Sequence, residues 1–145
     1  MKIGIGNDHH GIELKKKIID YLEKENIEYI NYGCDEVIDS SLIDYIDYAK
    51  KVCDGINNKE CDYGILICGT GIGMSIAANK IHNILAGKVN TPEEAKLIKE
   101  HNHANVMTLA ENTKDLEEIL HNFIYTEFSK EERHNRRVNK INALN

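Results

Sequence analysis

The sequence predicts an α/β fold, a parallel sheet of five short strands with helices on both faces, and three observations carry that expectation. Short apolar runs alternate along the chain with longer segments of helical periodicity. No linker, internal repeat or low-complexity tract breaks the alternation across residues 1–145, which read as one domain. Polar and glycine-rich groups follow the apolar runs directly, where sheets of this class bind their ligands.

The elements can be justified in order. Residues 2–6 are the first strand, and a helix over 11–25 carries Leu14, Ile18, Tyr21 and Leu22 on one face. Residues 28–32 are the second strand. Ser41-Leu42-Ile43-Asp44 has the form of a capping box, opening a helix with Tyr45, Ala49, Val52, Cys53 and Ile56 along one stripe. Residues 63–67 are the third strand, followed by a glycine turn and a helix that includes 75–80. Residues 84–89 are the fourth strand, weakened by Gly87 and Lys88. Thr91-Pro92-Glu93-Glu94 is the best helix start in the chain, with Thr at N-cap, Pro at N1 and Glu at N3, and that helix runs to about His101. Residues 106–109 are the fifth strand, and 113–128 a helix with Leu116, Ile119, Leu120, Phe123 and Ile124 inward. Ser129-Lys130-Glu131-Glu132 is a further capping box, starting an extended C-terminal helix with Val138, Ile141 and Leu144.

Composition narrows the function. The chain has 145 residues, 41% apolar and 29% charged, as in an ordinary soluble globular protein with a core of its own. A formal charge of −6 argues against a nucleic-acid surface, which needs clustered Lys and Arg. The single basic cluster, Arg133-His134-Asn135-Arg136-Arg137, suits a small phosphate better than a duplex. No apolar run approaches a membrane span, and the chain enters its first strand without a signal-peptide core, so a cytoplasmic protein with reduced thiols is expected. Cys34, Cys53, Cys61 and Cys68 show no C-x-x-C spacing, which argues against a zinc ribbon or thioredoxin motif. Packing accounts for Cys34, Cys53 and Cys61.

Cys68 is different. It ends the third strand and opens the turn Gly69-Thr70-Gly71-Ile72-Gly73, whose amides can converge on an anion and whose following helix N-terminus favours a thiolate. The plainer reading is a phosphate loop with Cys as a small filler. A P-loop lacks its Gly-Lys-Ser/Thr ending here, and a dinucleotide fingerprint has the wrong spacing. Asp8 and His9 follow the first strand, either as helix caps or as groups pointing into the same rim. His101 and Asn102 close the helix before the fifth strand and are expected near that rim, with C-capping as the plainer role for His101. His9, His10, His101 and His103 lack the companions of a recognisable metal site. His82 and His121 belong on solvated surfaces. Arg133 and Arg137, at i and i+4, can meet one phosphate, unless they form a solvated face paired with Glu131 and Glu132.

Together, Gly6-Asn7-Asp8-His9-His10-Gly11, Asp44-Tyr45, the unbroken block from Ile67 to Lys80, Glu100-His101-Asn102 with Ala104-Asn105-Val106, and Arg133-His134 with Arg137-Val138 resemble type B ribose-5-phosphate isomerase. The wider group includes galactose-6-phosphate isomerase subunits. The resemblance covers nearly the whole chain in order. It implies a Rossmann-like three-layer sandwich and a homodimer with shared active sites, a pairing of dimers into tetramers being left open. It also implies no cofactor, no metal, and interconversion of ribose 5-phosphate and ribulose 5-phosphate, a step of the pentose phosphate pathway. By the same resemblance Cys68 is the base moving a proton between C1 and C2, and Thr70 polarises or relays at the hydroxyls. The amides of Gly69, Gly71 and Gly73 hold the enediolate oxygen, and His101 opens the furanose. Asp8 and Tyr45 contact the sugar, Asn102 orients it, and His9, Arg133 and Arg137 bind phosphate, the arginines from across the dimer.

Four segments depart from the family pattern. Ile46 follows Tyr45 where Pro is common, and Leu85 stands where Arg is usual. Ala110-Glu111-Asn112 replaces Gly-x-Arg, and Glu131-Glu132 replaces Gly-Gly. The changes spare the proton-transfer groups and bear on the sugar. Another aldose phosphate, such as allose or galactose 6-phosphate, is the same-class alternative, although the galactose-6-phosphate subunits tend to lack the cysteine. A sugar-phosphate-binding paralogue without turnover is the alternative from a different class.

Overall fold

The computed structural model describes residues 1–37 and 39–144. Strand β1 (Lys2–Asn7) passes through a 3-10 turn (His9–Gly11) into helix α1 (Ile12–Lys24), then β2 (Glu28–Asn31), a second 3-10 turn (Ser40–Leu42) and α2 (Tyr45–Asn57). There follow β3 (Tyr63–Cys68), α3 (Ile72–Asn79), β4 (Ala86–Lys88), α4 (Pro92–Glu100), β5 (Val106–Ala110), α5 (Leu116–Tyr125) and α6 (Glu132–Asn142). All four strand pairings are parallel, in the order β2-β1-β3-β5-β4.

Strand parity sorts the core into two layers around the sheet. Ile3, Ile5, Ile65, Ile67, Met107 and Leu109 pack with Ile18 and Leu22 of α1 and with Ile119 and Phe123 of α5. Leu66, Cys68 and Val106 point the other way, onto Ala49, Val52 and Cys53 of α2 and Met74 and Ala78 of α3. The expected three-layer α/β sandwich is therefore what forms.

Local starts differ where a competing contact wins. Thr91 caps α4 as read from the sequence, its Oγ1 accepting from Glu94 N at 3.1 Å. The Ser41 box does not form: Asp39 accepts from Ser41 N at 3.0 Å and caps the short turn instead, leaving Asp44 at the N-cap of α2. The Ser129 box does not form either, because Ser129 Oγ pairs with His134 Nδ1 at 2.5 Å and α6 starts at Glu132. Helix α5 begins three residues late: Thr113 Oγ1 donates to Ala110 O at 2.6 Å, and Asp115 takes a left-handed φ of 54°. Strand β4 is shorter than expected because Leu85 N is bonded to Asn105 Oδ1 at 2.9 Å before the ladder begins.

Candidate active site

The same parity that places Leu66 in the α2–α3 layer places Cys68, as the last residue of β3, at the sheet's carboxyl edge on the side from which α3 departs. Cys68 is 4% exposed. The turn after it is built on Gly71, whose φ of 76° is left-handed and whose added Cβ would lie 2.9 Å from the Leu109 carbonyl carbon. Only glycine meets both demands. Thr108 Oγ1, fully buried in β5, donates to Gly71 O at 2.8 Å and fixes the turn from the neighbouring strand.

So held, the Gly71 N–H donates to Cys68 Sγ at 3.1 Å, and the Ile72 N–H donates to Thr70 Oγ1 at 3.2 Å. These two amides are directed at the turn's own side chains. In this geometry the Gly71 amide supports the sulfur. Gly73 serves a different purpose, since a Cβ there would come within 2.5 Å of the Tyr45 ring. Tyr45, at the start of α2, therefore lies directly against the turn.

Strands β1 and β3 are neighbours, while the chain leaves them toward opposite ends of the sheet, so their carboxyl ends form the topological switch point. Asp8 sits there, 5% exposed, its N–H donating to Ile67 O at 3.3 Å. Its carboxylate accepts from His10 N at 3.0 Å, so Asp8 does cap the 3-10 turn, as its plainer reading had it. His9 Nδ1 is buried with no partner among the described residues, and the His9 and His10 rings lie 4.1 Å apart. Cys68, Thr70, Gly69, Gly71, Gly73, Asp8, His9 and Tyr45 are thus brought together.

His101 and Asn102 are not brought to this rim. In a parallel α/β sheet each helix runs back against the strands, so residues closing α4 lie at the amino edge, where β5 begins. The length of β3, roughly 16 Å of strand, separates the two edges. His101 stacks instead on His134, with ring centroids 4.4 Å apart and an interplanar angle of 29°. Arg133 and Arg137 are carried on the same helix, α6; Arg133 pairs with Glu131 at 2.8 Å, and Arg137 has no ion pair among the described residues. On the surface of α6, Arg133 thus lies against Glu131 and Arg136 against Glu132.

The match that decides the family spans almost all of this architecture. A model described as Ribose/Galactose Isomerase fits residues 3–141. The chain belongs to that family. It is 40% identical to ribose-5-phosphate isomerase B of Escherichia coli over 116 residues, covering 80% of this chain and 76% of that one. The crystal structure of a ribose 5-phosphate isomerase from Thermotoga maritima superposes with a TM-score of 0.89 at 41% identity, over 99% of this chain and 98% of the other. Ribose-5-phosphate isomerase B from Mycoplasma genitalium, solved with bound ribulose-5-phosphate, gives 0.86 at 37% identity, over 97% and 93%.

Within this member of the ribose/galactose isomerase family, several polar residues at or beneath the rim form pairings that the sequence did not announce. His10 pairs with Glu111 across the rim, Nδ1 to Oε2 at 3.0 Å, and Glu111 N donates to Gly69 O at 3.3 Å. The Glu111 carboxylate is thus engaged by an imidazole. Asn7, fully buried, donates to Asp8 O at 2.8 Å and to Cys34 O at 2.9 Å. Lys15 donates to the same Cys34 carbonyl at 2.6 Å and binds Asp35, whose carboxyl it holds below the usual range. These contacts fasten the loop leading to Tyr45. Cys53 behaves as packing, its thiol pushed up to about 12 by burial. Lys15, at a helical position, reads from the sequence like any solvated lysine and is buried only by the fold.

Proposed function

We propose that this protein interconverts ribose 5-phosphate and ribulose 5-phosphate through an enediolate, with Cys68 as the base. The observation that carries the reading is the buried Cys68 sulfur at the switch point, supported by the Gly71 N–H, in a chain of this family. An aldose–ketose isomerisation needs one base that can return its proton and donors for the developing oxyanion. Cys68 takes the proton from C2 of the open aldose and returns it to C1, while the hydroxyl proton at O2 passes to O1. Amides of Gly69 and Gly73 hold the enediolate oxygen, with the Thr70 hydroxyl at the sugar hydroxyls. Asp8 and Tyr45 contact the sugar and His9 the phosphate.

His101, Asn102, Arg133 and Arg137 enter from a second copy of the chain. Two observations support a homodimer. These four residues lie away from their own Cys68, and α3 presents Ile72 and Ile76, at 53% and 64% exposure, on its outer face beside the turn. An exposed apolar helix face next to an incomplete site is suited to burial against a partner. Within that dimer His101 opens the furanose, Asn102 orients the sugar, and the arginines hold the phosphate. A cytoplasmic location fits this metabolic role, and no helix among the described residues is long and apolar enough to cross a membrane.

A second reading, isomerisation of another aldose phosphate, is favoured by Leu85 and Asn112, which stand where the family's arginines are usual. One experiment separates them. Purified protein is incubated in deuterated water with a panel of aldose 5- and 6-phosphates. Turnover confined to ribose 5-phosphate, with deuterium on C1 or C2 and loss in Cys68→Ala, is expected. Preferred turnover of a hexose 6-phosphate selects the second reading, and binding without exchange on any sugar defeats both.

A further inference from the structure

Beside His101 lies an arrangement that the reading above leaves unused. His134 is 4% exposed, and its Nδ1 shares a 2.5 Å hydrogen bond with Ser129 Oγ. Ser129 is itself anchored twice: its N–H donates to Glu100 O at 3.0 Å, and its Oγ accepts from Glu131 N at 3.3 Å. The segment before α6 is therefore folded back onto the last turn of α4, and the His134 ring is fixed in place beneath His101. His101 has no comparable hold of its own. Its Nε2 stands 3.7 Å from Glu100 Oε1, beyond hydrogen-bond length, and its side chain is 40% exposed. The 4.4 Å stack on His134 is the contact that orients it.

We propose that His134 is a positioning residue for His101, its ring, fixed by Ser129, serving as the platform that holds the His101 imidazole at the angle from which it meets the sugar ring. The charge around the pair agrees. Burial, with His101, Arg133 and Arg137 nearby, pushes His134 below the ordinary histidine value, against the opposing effect of Glu131. Glu100 faces His101 from α4. A platform whose own protonation is disfavoured sets no second imidazolium against the His101 ring.

This inference rests on the isomerase reading with His101 as the ring-opening group, and two rates distinguish their failures. One is conversion of ribose 5-phosphate, supplied as a furanose. The other is uptake of solvent deuterium at C1 of ribulose 5-phosphate, which is acyclic because its C5 oxygen carries the phosphate; that exchange needs proton transfer but no ring opening. In full-length His134→Ala, conversion is expected to fall about tenfold or more while exchange stays within about twofold. His134→Phe keeps an aromatic platform and is expected to recover conversion to within about threefold of wild type. Ser129→Ala, which deletes one hydroxyl, reports the same separation at smaller size and decides the matter if His134→Ala does not fold. Equal losses in both rates, or undiminished conversion in His134→Ala or, where that variant does not fold, in Ser129→Ala, overturns the platform. Absence of both rates in the wild type removes the isomerase reading itself, and the platform with it.

Discussion

The Gly71 N–H donates to Cys68 Sγ at 3.1 Å, and that bond depends on a backbone only glycine tolerates. A side chain at Gly71 meets the Leu109 carbonyl carbon at 2.9 Å and adds the left-handed penalty of about 1–2 kcal/mol. Gly71→Ala is therefore expected to lower stability by at least that amount and to cut turnover while leaving Cys68 in place. Cys68→Ser keeps the shape and replaces the sulfur with a much weaker base. Thermal melts combined with exchange rates check both, and a Gly71→Ala protein of full activity removes the turn from the mechanism.

Shared sites have an arithmetic signature. Cys68→Ala and His101→Ala are each impaired as homodimers, but a hybrid of the two contains one site with both residues intact. After random subunit exchange half of the dimers are hybrids, so about a quarter of wild-type activity is expected to return on mixing. No recovery in samples shown to have exchanged places Cys68 and His101 in sites of a single chain or removes His101 from the reaction.

On the proposed reading, the phosphate end of the site lacks one cation of the family pattern, since Asn112 stands where Arg is usual. Asn112→Arg restores the family's usual residue just past β5, two positions beyond Ala110, which pairs with Cys68 across the ladder. A charge-assisted hydrogen bond of about 1.5–3 kcal/mol corresponds to a KM lower by roughly ten- to a hundredfold. Glu111→Gln tests the neighbouring acid. Both its carboxylate and His10 are about half exposed, so folding stability is expected to change by less than about 1 kcal/mol. KM is expected to fall modestly as a negative charge leaves the rim. A KM for ribose 5-phosphate that ignores both substitutions locates the phosphate elsewhere.

Lys99 links the core to pH. Its Nζ is buried, donates to Phe123 O at 2.7 Å in the last turn of α5, and lies 4.1 Å from the centre of the Tyr63 ring. Burial lowers its pKa from 10.5 to about 8. Between those values the unfolded chain binds more protons than the folded one, so this group makes the protein more stable as pH rises from 8 toward 10.5. Urea midpoints of wild type and Lys99→Met, measured at intervals from pH 7 to 9.5, are expected to diverge in favour of wild type as pH rises. A difference independent of pH shows that Lys99 is not titrating in that window.

How much of this was legible varies with the range of the interaction. Strand and helix alternation rests on local period, and the turn from Cys68 to Gly73 is contiguous, so both could be read directly. Thr91 was read correctly because its cap closes within one turn of helix. The boxes at Ser41 and Ser129 were misread because a rival acceptor or donor, Asp39 in one case and His134 in the other, engages the same hydroxyl. His10 with Glu111, Thr108 with Gly71, and Lys15 with Cys34 pair across distant strands and loops. No local pattern announces them, since each depends on strand order.

From the sequence alone came the fold class, the identity of the reactive-looking turn and the basic cluster on the last helix, all properties of short segments and their periods. The tertiary structure decided where those segments meet. It set Cys68, Asp8 and Tyr45 at one edge of the sheet and His101 with His134 at the other. Helices in a parallel sheet must run back against the strands, so groups that follow strands and groups that follow helices end on opposite sides.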